Sequence, residues 1–473
     1  MTTQEPQPSP SRCSSPEPVK PWEPVLEALN KEQLVLQAAS LHQRLHGKAS
    51  TPSIGEHMMG SFNVCFPLTF KSGLRWLIKF PFAGTKAKWD KPAISAMISE
   101  AQTMRLIKRE TTIPLPEVLD FSPTISNPIG CPYIVMTYIP GIPLHTWWYE
   151  KQDGLDLETI RARRTRTLEG IAQAMVQLSK FTFSTGGSLV FNKDGSLDPT
   201  RTGPLRYWDF MEGLKNYEPG PWYKERAVSS DTKDYYTLMI DVHAPKGPYN
   251  VAVYALLRQF IAWIPEPTSG GKPFVLSHPD FNMQNMIVDE NGVLQGIIDW
   301  DGVGALPRTL GNEKLPLWLT EDWNQDEYLF IANSDDEDND EDENDAPEDY
   351  AYNRAVYIDL IEKAKRRMRR GNSPVERVWT YIKGKKVFSK KKNNICRMSL
   401  FTQNLAAAVW DPIRRQEVMS KLVRNCWVVQ GGPEDYRCAG DMGSVCAAQE
   451  EDPCDTIDTM RDGFLMLLAK EGL

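Results

Sequence analysis

The stretch Phe274–Asp301, FVLSHPDFNMQNMIVDENGVLQGIIDWD, constrains this chain more than any other. It holds His278-Pro279-Asp280, an asparagine at 285, and a second aspartate, Asp299, that ends an apolar run. Two short apolar runs, Met286–Val288 and Val293–Ile298, are joined by Asp289-Glu290-Asn291-Gly292. Asn-Gly between apolar runs is a strong hairpin signal, because both residues accept the positive φ of a tight turn. Folding that hairpin returns Asp299 to the side of Asn285. Hard oxygen donors from two chain segments then converge, which suits a magnesium ion that keeps phosphate and water as its other ligands. Asp280 is the candidate base for an attacking hydroxyl. His278 is the second catalytic candidate, although bracing the loop by hydrogen bonding is its simpler role. Asn282 and Asp301 are candidates for auxiliary contacts.

A single His-x-Asp is common by chance, so the residues upstream decide the matter. Residues 1–22 are rich in Pro, Ser, Gln and Glu and are expected to be disordered. Pro24–His46 carries an apolar stripe at helical spacing. Strands are expected over Met58–Phe70 and Leu74–Phe80, with Lys71-Ser72-Gly73 as their turn and Lys79 near the end of the second. A helix follows from about Asp90 to Arg109, and Glu100 falls on or beside its apolar stripe. A carboxylate there costs desolvation unless it is paired, and Lys79 is the candidate partner. Ile113-Pro114-Leu115-Pro116 ends this helix. Pro132–Ile139 is a buried-looking strand, and Pro140-Gly141 after it suits a hinge between lobes.

Beyond the hinge the pattern is mostly helical, most clearly over Leu157–Phe183 and Val251–Ile264. Gly186–Lys246 has weak periodicity and is read as irregular insertions. The acidic run within 334–349 reads as a disordered loop. The basic clusters Lys363–Arg370 and Lys383–Lys392 are most simply charge balance, with a protein partner or nuclear import as the alternative. Residues 431–473 carry little signal apart from an apolar patch at Phe464–Leu468. The expected division is therefore a tail at 1–22, a first lobe at 23–139, a helical lobe at 140–430 interrupted by 334–349, and a C-terminal tail.

With 473 residues the chain is long enough for two or three domains or one two-lobed domain. Its net charge of −8 argues against a general nucleic-acid binder. There is no apolar leader and no apolar run of membrane-spanning length, which favours a cytoplasmic protein and excludes membrane partners. None of the eight cysteines forms a Cys-x-x-Cys pair, so free thiols are expected.

Taken together, these segments resemble the aminoglycoside phosphotransferase-like family of the protein-kinase-like fold, in particular its fungal branch. HPDFNMQN is similar to that family's His-x-Asp-x-x-x-x-Asn loop, IIDWD to its metal motif, and LIKF to its ATP-lysine strand. SEAQTMRLIKRETTIPLPEV, PYIVMTYIPG and GNEKLPLWLTEDW resemble its partner-Glu helix with the following turn, its hinge strand, and the segment after the metal Asp. The resemblance implies an α+β fold of two lobes, with a small antiparallel-sheet N-lobe bearing one helix and a larger, mainly helical C-lobe. It implies Asp280 as base, Asn285 and Asp299 as magnesium ligands, and Lys79 with Glu100 as the nucleotide ion pair. Backbone groups at Thr137, Tyr138 and Ile139 would meet adenine. ATP and magnesium are the implied cofactors, and the acceptor is the hydroxyl of an unspecified small molecule. The segment IGEHMMGSFN departs from the pattern, because it has Gly55 and Gly60 but no Gly-x-Gly-x-x-Gly. The alternative is a kinase-like module that binds nucleotide or a partner without turnover. A protein kinase fits less well, since no Asp-Phe-Gly or Ala-Pro-Glu follows Asp299.

Overall fold

The computed structural model describes residues 20, 22–150, 154–208, 223–238, 240, 245–266, 271–323, 328, 345–371, 381–382, 385–386, 394–431 and 453–469. The expected tail up to residue 19 and the acidic residues 335–344 lie outside that set. The described chain forms two compact units, 1–90 with 120–135 and 208–224, and 91–119 with 136–207 and 225–473. The α+β class is as expected, with antiparallel sheets and with helices concentrated in the larger unit. The helix carrying Glu100 groups with the larger unit, so the division does not fall at 139/140. No helix among the described residues is long and apolar enough to cross a membrane.

The smaller unit opens with two helices where the sequence suggested one, α1 (Glu23–Ala28) and α2 (Lys31–His46). Asn30 separates them, because its backbone is extended and its side chain caps α2 by accepting the Gln33 N–H at 3.0 Å. Strands β1 (Ser53–Ile54), β2 (Met58–Met59), β3 (Asn63–Thr69) and β4 (Arg75–Pro81) follow. With β5 (Val118–Ser122) and β6 (Tyr133–Thr137) they make one sheet in the order β1-β3-β4-β6-β5, with β2 also on β3. Side chains alternate across a strand. Ile78, Tyr133 and Val135 line a small cavity with Leu34, Ala38 and Leu41, so that face of the sheet is covered by α2. Burying a leucine against such a face is worth roughly 2 kcal/mol. Lys79, opposite Cys65 in the β3–β4 register, stands on the other face and is buried.

The larger unit begins with α3 (Lys91–Glu110), β7 (Ile142–Pro143), α4 (Leu144–Tyr149) and α5 (Leu157–Met175). The region expected to be irregular, Gly186–Lys246, instead supplies strands. Strands β8 (Thr182–Phe183), β9 (Gly187–Phe191) and β10 (Leu197–Gly203) join β13 (Phe274–Ser277) and β16 (Gly304–Pro307) in the order β10-β9-β16-β13-β8. A separate ribbon pairs β11 (Leu205–Trp208) with β12 (Tyr223–Arg226). Helices α6 (Thr232–Thr237) and α7 (Pro248–Trp263) lead to the core stretch. There β14 (Met286–Val288) and β15 (Leu294–Ile297) form a three-stranded sheet with β7.

Four helices complete this unit: α8 (Pro347–Gly371), α9 (Ile395–Trp410), α10 (Pro412–Val428) and α11 (Pro453–Ala469). Two expectations are corrected here. Residues 345–349 are not a disordered loop: Asp345 pairs with Arg164 at 2.9 Å and accepts the Trp148 indole N–H at 3.2 Å, and Pro347 opens α8. The C-terminal tail is not featureless either. Phe464 of α11 is fully buried, 5.0 Å from Phe260 and 6.2 Å from Phe401 between ring centres. The first basic cluster lies on α8, where Lys365 pairs with Glu313 and Arg367 with Glu169. Lys383–Lys392, apart from residues 385 and 386, lies outside the described residues.

Candidate active site

The hairpin forms at the predicted place. Gly292 takes φ +76, and its N–H donates to the Asp289 carbonyl at 3.0 Å. The Asp289 side chain accepts the N–H groups of Asn291 and Val293, both at 2.9 Å, which closes the turn from inside. Met286 then pairs with Ile297, and the Ile298 N–H donates to the Asn285 carbonyl at 2.9 Å. This register carries Asp299 back beside Asn285. Asp299 has φ +56, the only positive φ among described non-glycine residues. Such conformations are sparsely populated and gather at functional sites, although Asp tolerates them better than most.

On the loop, Asn285 donates its amide to Asp280 twice, to the carbonyl at 2.9 Å and to Oδ2 at 2.8 Å. With both amide hydrogens committed, its Oδ1 is the atom left for a ligand. Asp280 Oδ2 also accepts Gln284 Nε2 at 2.7 Å, so Oδ1 is the free oxygen of that half-buried carboxylate. Asn282 uses its side chain locally, accepting the Met283 N–H at 2.8 Å to start a short 3-10 turn.

His278 is 1% exposed, and its Nε2–H donates to the Ile298 carbonyl at 2.9 Å. Its Nδ1 is buried with no hydrogen-bond partner, and Trp300 packs edge-on against the ring at 4.6 Å. Burial holds its pKa down, to about 4. The ring is therefore neutral and shut away from solvent. It ties β13 to the residue before Asp299, the geometry of the bracing role.

The other candidates have separate supports. The Ile297 N–H donates to the Pro114 carbonyl at 2.8 Å, so the turn after α3 is anchored on β15. Glu100, on that helix, is 4% exposed. Lys79 belongs to the smaller unit and Glu100 to the larger. Each is buried, a state in which an isolated charge costs several kcal/mol, roughly, unless compensated. The hinge strand runs into β7, which pairs on β14 (Ile287 with Pro143, Val288 with Ile142). Gly141 has φ +147, and a Cβ there would meet the Val288 carbonyl at 2.6 Å, so only glycine allows this approach. The Thr137 N–H is taken by the Glu117 carbonyl at 3.0 Å. Tyr138 and Ile139 continue that segment, and the Ile139 side chain lies against Gly296.

Lys314 carried no chemical role in the sequence, because a lone lysine in GNEKLPLW reads as a surface residue. It is buried, and its ammonium donates to the His278 carbonyl at 3.1 Å. Burial lowers its pKa to about 8 against the opposing pull of the Asp280 carboxylate. Among the described residues no group of three or more His, Cys, Asp or Glu side chains forms a metal cluster. One carboxylate and one amide oxygen, completed by phosphate and water, is the smaller donor set that suits magnesium.

Residues 69–309 match the phosphotransferase enzyme family. Over 343 residues the chain is 26% identical to a subtelomeric hrmA-associated cluster protein found in two strains of Aspergillus fumigatus. That match takes in 60% of this chain and 64% of the relative, so the chain spans a little under two thirds of the length of these relatives. It is 27% identical over 214 residues to altered inheritance of mitochondria protein 9 of Candida tropicalis, covering 44% of this chain and 33% of that one. Among solved structures, an amicoumacin kinase bound to AMP-PNP and Ca2+ aligns over 84% of this chain and 96% of its own, at 12% identity and a TM-score of 0.42.

Proposed function

We propose that this chain, which belongs to the phosphotransferase enzyme family, is an ATP- and magnesium-dependent kinase that phosphorylates the hydroxyl of a small molecule. The observation that carries this reading is the Asp280–Asn285 pair set against Asp299 by the hairpin register. Asp280 is the base, because its unoccupied Oδ1 can accept the proton of an acceptor hydroxyl. Asn285 through Oδ1 and Asp299 through its carboxylate are the magnesium ligands. When bound, the ion neutralises charge on the transferring phosphoryl oxygens.

Lys79 and Glu100 are the residues assigned to the nucleotide ion pair, each of them buried. Backbone groups of Thr137, Tyr138 and Ile139 receive the adenine. His278 fixes the loop against the metal strand and touches no substrate. The protein's own work is then positioning and charge complementarity, with little covalent chemistry of its own. Its expected partner is a small molecule in the cytoplasm.

Mg-ATP binding tests this reading first. Isothermal titration should give saturable binding to the wild type that is weakened at least about tenfold in Asp299→Ala, the loss expected from one charged ligand contact. No binding by the wild type would overturn the proposal.

A further inference from the structure

The segment after β16 returns to the catalytic loop and is fixed from several sides. Asn312 Nδ2 donates to the Met175 carbonyl at 3.0 Å, which ties the segment to the end of α5. The Leu315 N–H donates to Ser399 Oγ at 2.7 Å, and Gln403 Nε2 donates to the Leu315 carbonyl at 3.1 Å, both from α9. Glu313 takes the Lys365 ammonium of α8 at 2.6 Å. Thus held, the segment meets the catalytic loop at two points. Lys314 donates to the carbonyl of His278, and the Leu317 N–H donates to the carbonyl of Phe281 at 2.9 Å. These two bonds bracket Asp280 on both sides.

The first bond does not require a charge. A neutral amide would reach the same carbonyl without the cost of a buried ammonium, which is several kcal/mol, roughly, when uncompensated. The adjacent carboxylate, Glu313, is committed to Lys365. The carboxylate whose charge favours the Lys314 ammonium is Asp280. The Asp280 carboxylate thus draws the Lys314 ammonium on a segment that hydrogen bonds and an ion pair tie to three helices.

We propose that Lys314 is a positioning residue for phosphoryl transfer, its ammonium clamping the His278 carbonyl and placing a fixed positive charge behind the Asp280 carboxylate. The inference rests on the reading of Asp280 as base. It extends that site into α5, α8 and α9, which have no other part in the chemistry.

The full-length wild type, Lys314→Met, Lys314→Arg and Ser399→Ala are compared by ADP release from Mg-ATP and by thermal unfolding. Lys314→Met is expected to lower kcat about tenfold or more, with KM for ATP changed less than about twofold, the mark of lost positioning rather than lost binding. Lys314→Arg should recover most of that loss. Ser399→Ala loosens the segment that carries Lys314 without removing the charge, so it should lower Tm and lower kcat less than Lys314→Met does. A Lys314→Met protein that loses Tm but keeps kcat would overturn the inference, as would failure of Lys314→Arg to recover any turnover. Should Lys314→Met not fold, Lys314→Gln keeps a donor to His278 and decides the matter: wild-type kcat overturns the inference and a lowered kcat supports it. Absence of ADP release from the wild type would instead overturn the reading of the whole site, so the two failures are told apart.

Discussion

Asn285 commits both hydrogens of its side-chain amide to Asp280, one to the backbone carbonyl at 2.9 Å and one to Oδ2 at 2.8 Å. The pair fixes two things at once. The Asp280 side chain cannot rotate freely, and the amide oxygen of Asn285 is left uncommitted. Asn285→Asp keeps the shape but removes both donors and places a second negative charge against Asp280. Losing two hydrogen bonds and adding like-charge repulsion should cost about 2–3 kcal/mol of stability. Chemical denaturation measures that cost, and Asn285→Asp should also bind Mg-ATP with altered affinity.

The hairpin is equally exacting at Gly292. Its φ of +76 suits glycine, and a Cβ there would lie 2.4 Å from the Trp147 ring and 2.7 Å from Thr167 Oγ1. Thr167 in turn donates to the Gly292 carbonyl at 2.7 Å. Gly292→Ala should therefore destabilise by about 2 kcal/mol or more through strain and displaced packing, read by urea unfolding. A variant as stable as the wild type would show that the turn is not pinned by α4 and α5.

His278 makes stability depend on acid. Its folded pKa lies near 4, below the unfolded value of 6.5. Between those values the unfolded chain binds a proton that the folded chain refuses, so stability falls as pH drops from about 6.5 to about 4 and the loss is complete below that. A shift of this size corresponds to about 3 kcal/mol. Unfolding free energies at pH 7 and pH 4.5 should differ by most of that in the wild type and by less in His278→Asn.

The proposed pairing of Lys79 with Glu100 is open to a double-mutant cycle. Each of Lys79→Met and Glu100→Gln should weaken ATP binding, and the double variant should be little worse than either single one, a coupling of about 1 kcal/mol or more. Additive losses would mean that the two charges act independently.

Much of the site was legible because its signals are local. Asn-Gly between apolar runs dictated the hairpin, and the hairpin fixed the meeting of Asn285 and Asp299 with no long-range information. The helix bearing Glu100 and the strand bearing Lys79 were equally plain from period and capping. What escaped was set by distant pairings. Strand β9 is placed by pairing with β16, more than a hundred residues on, and its short run has no pattern of its own. Lys314 is buried by helices whose chain positions lie far from it, so its sequence neighbours could not reveal its burial. Asp345 reads as part of an acidic run, and only the arrival of Arg164 and Trp148 makes it a structural residue. Asn30 was missed for a smaller reason: one N-cap splits an otherwise continuous apolar stripe.

In the proposed reaction Asp280 takes the acceptor's proton during phosphoryl transfer. The most direct measurement is steady-state ADP release from Mg-ATP by the wild type and by Asp280→Ala, with Mg-ATP affinity measured on the same preparations. A lost general base should lower kcat by about a hundredfold or more while the nucleotide still binds within a few fold of wild-type affinity. An Asp280→Ala protein that turns over at the wild-type rate would contradict the account.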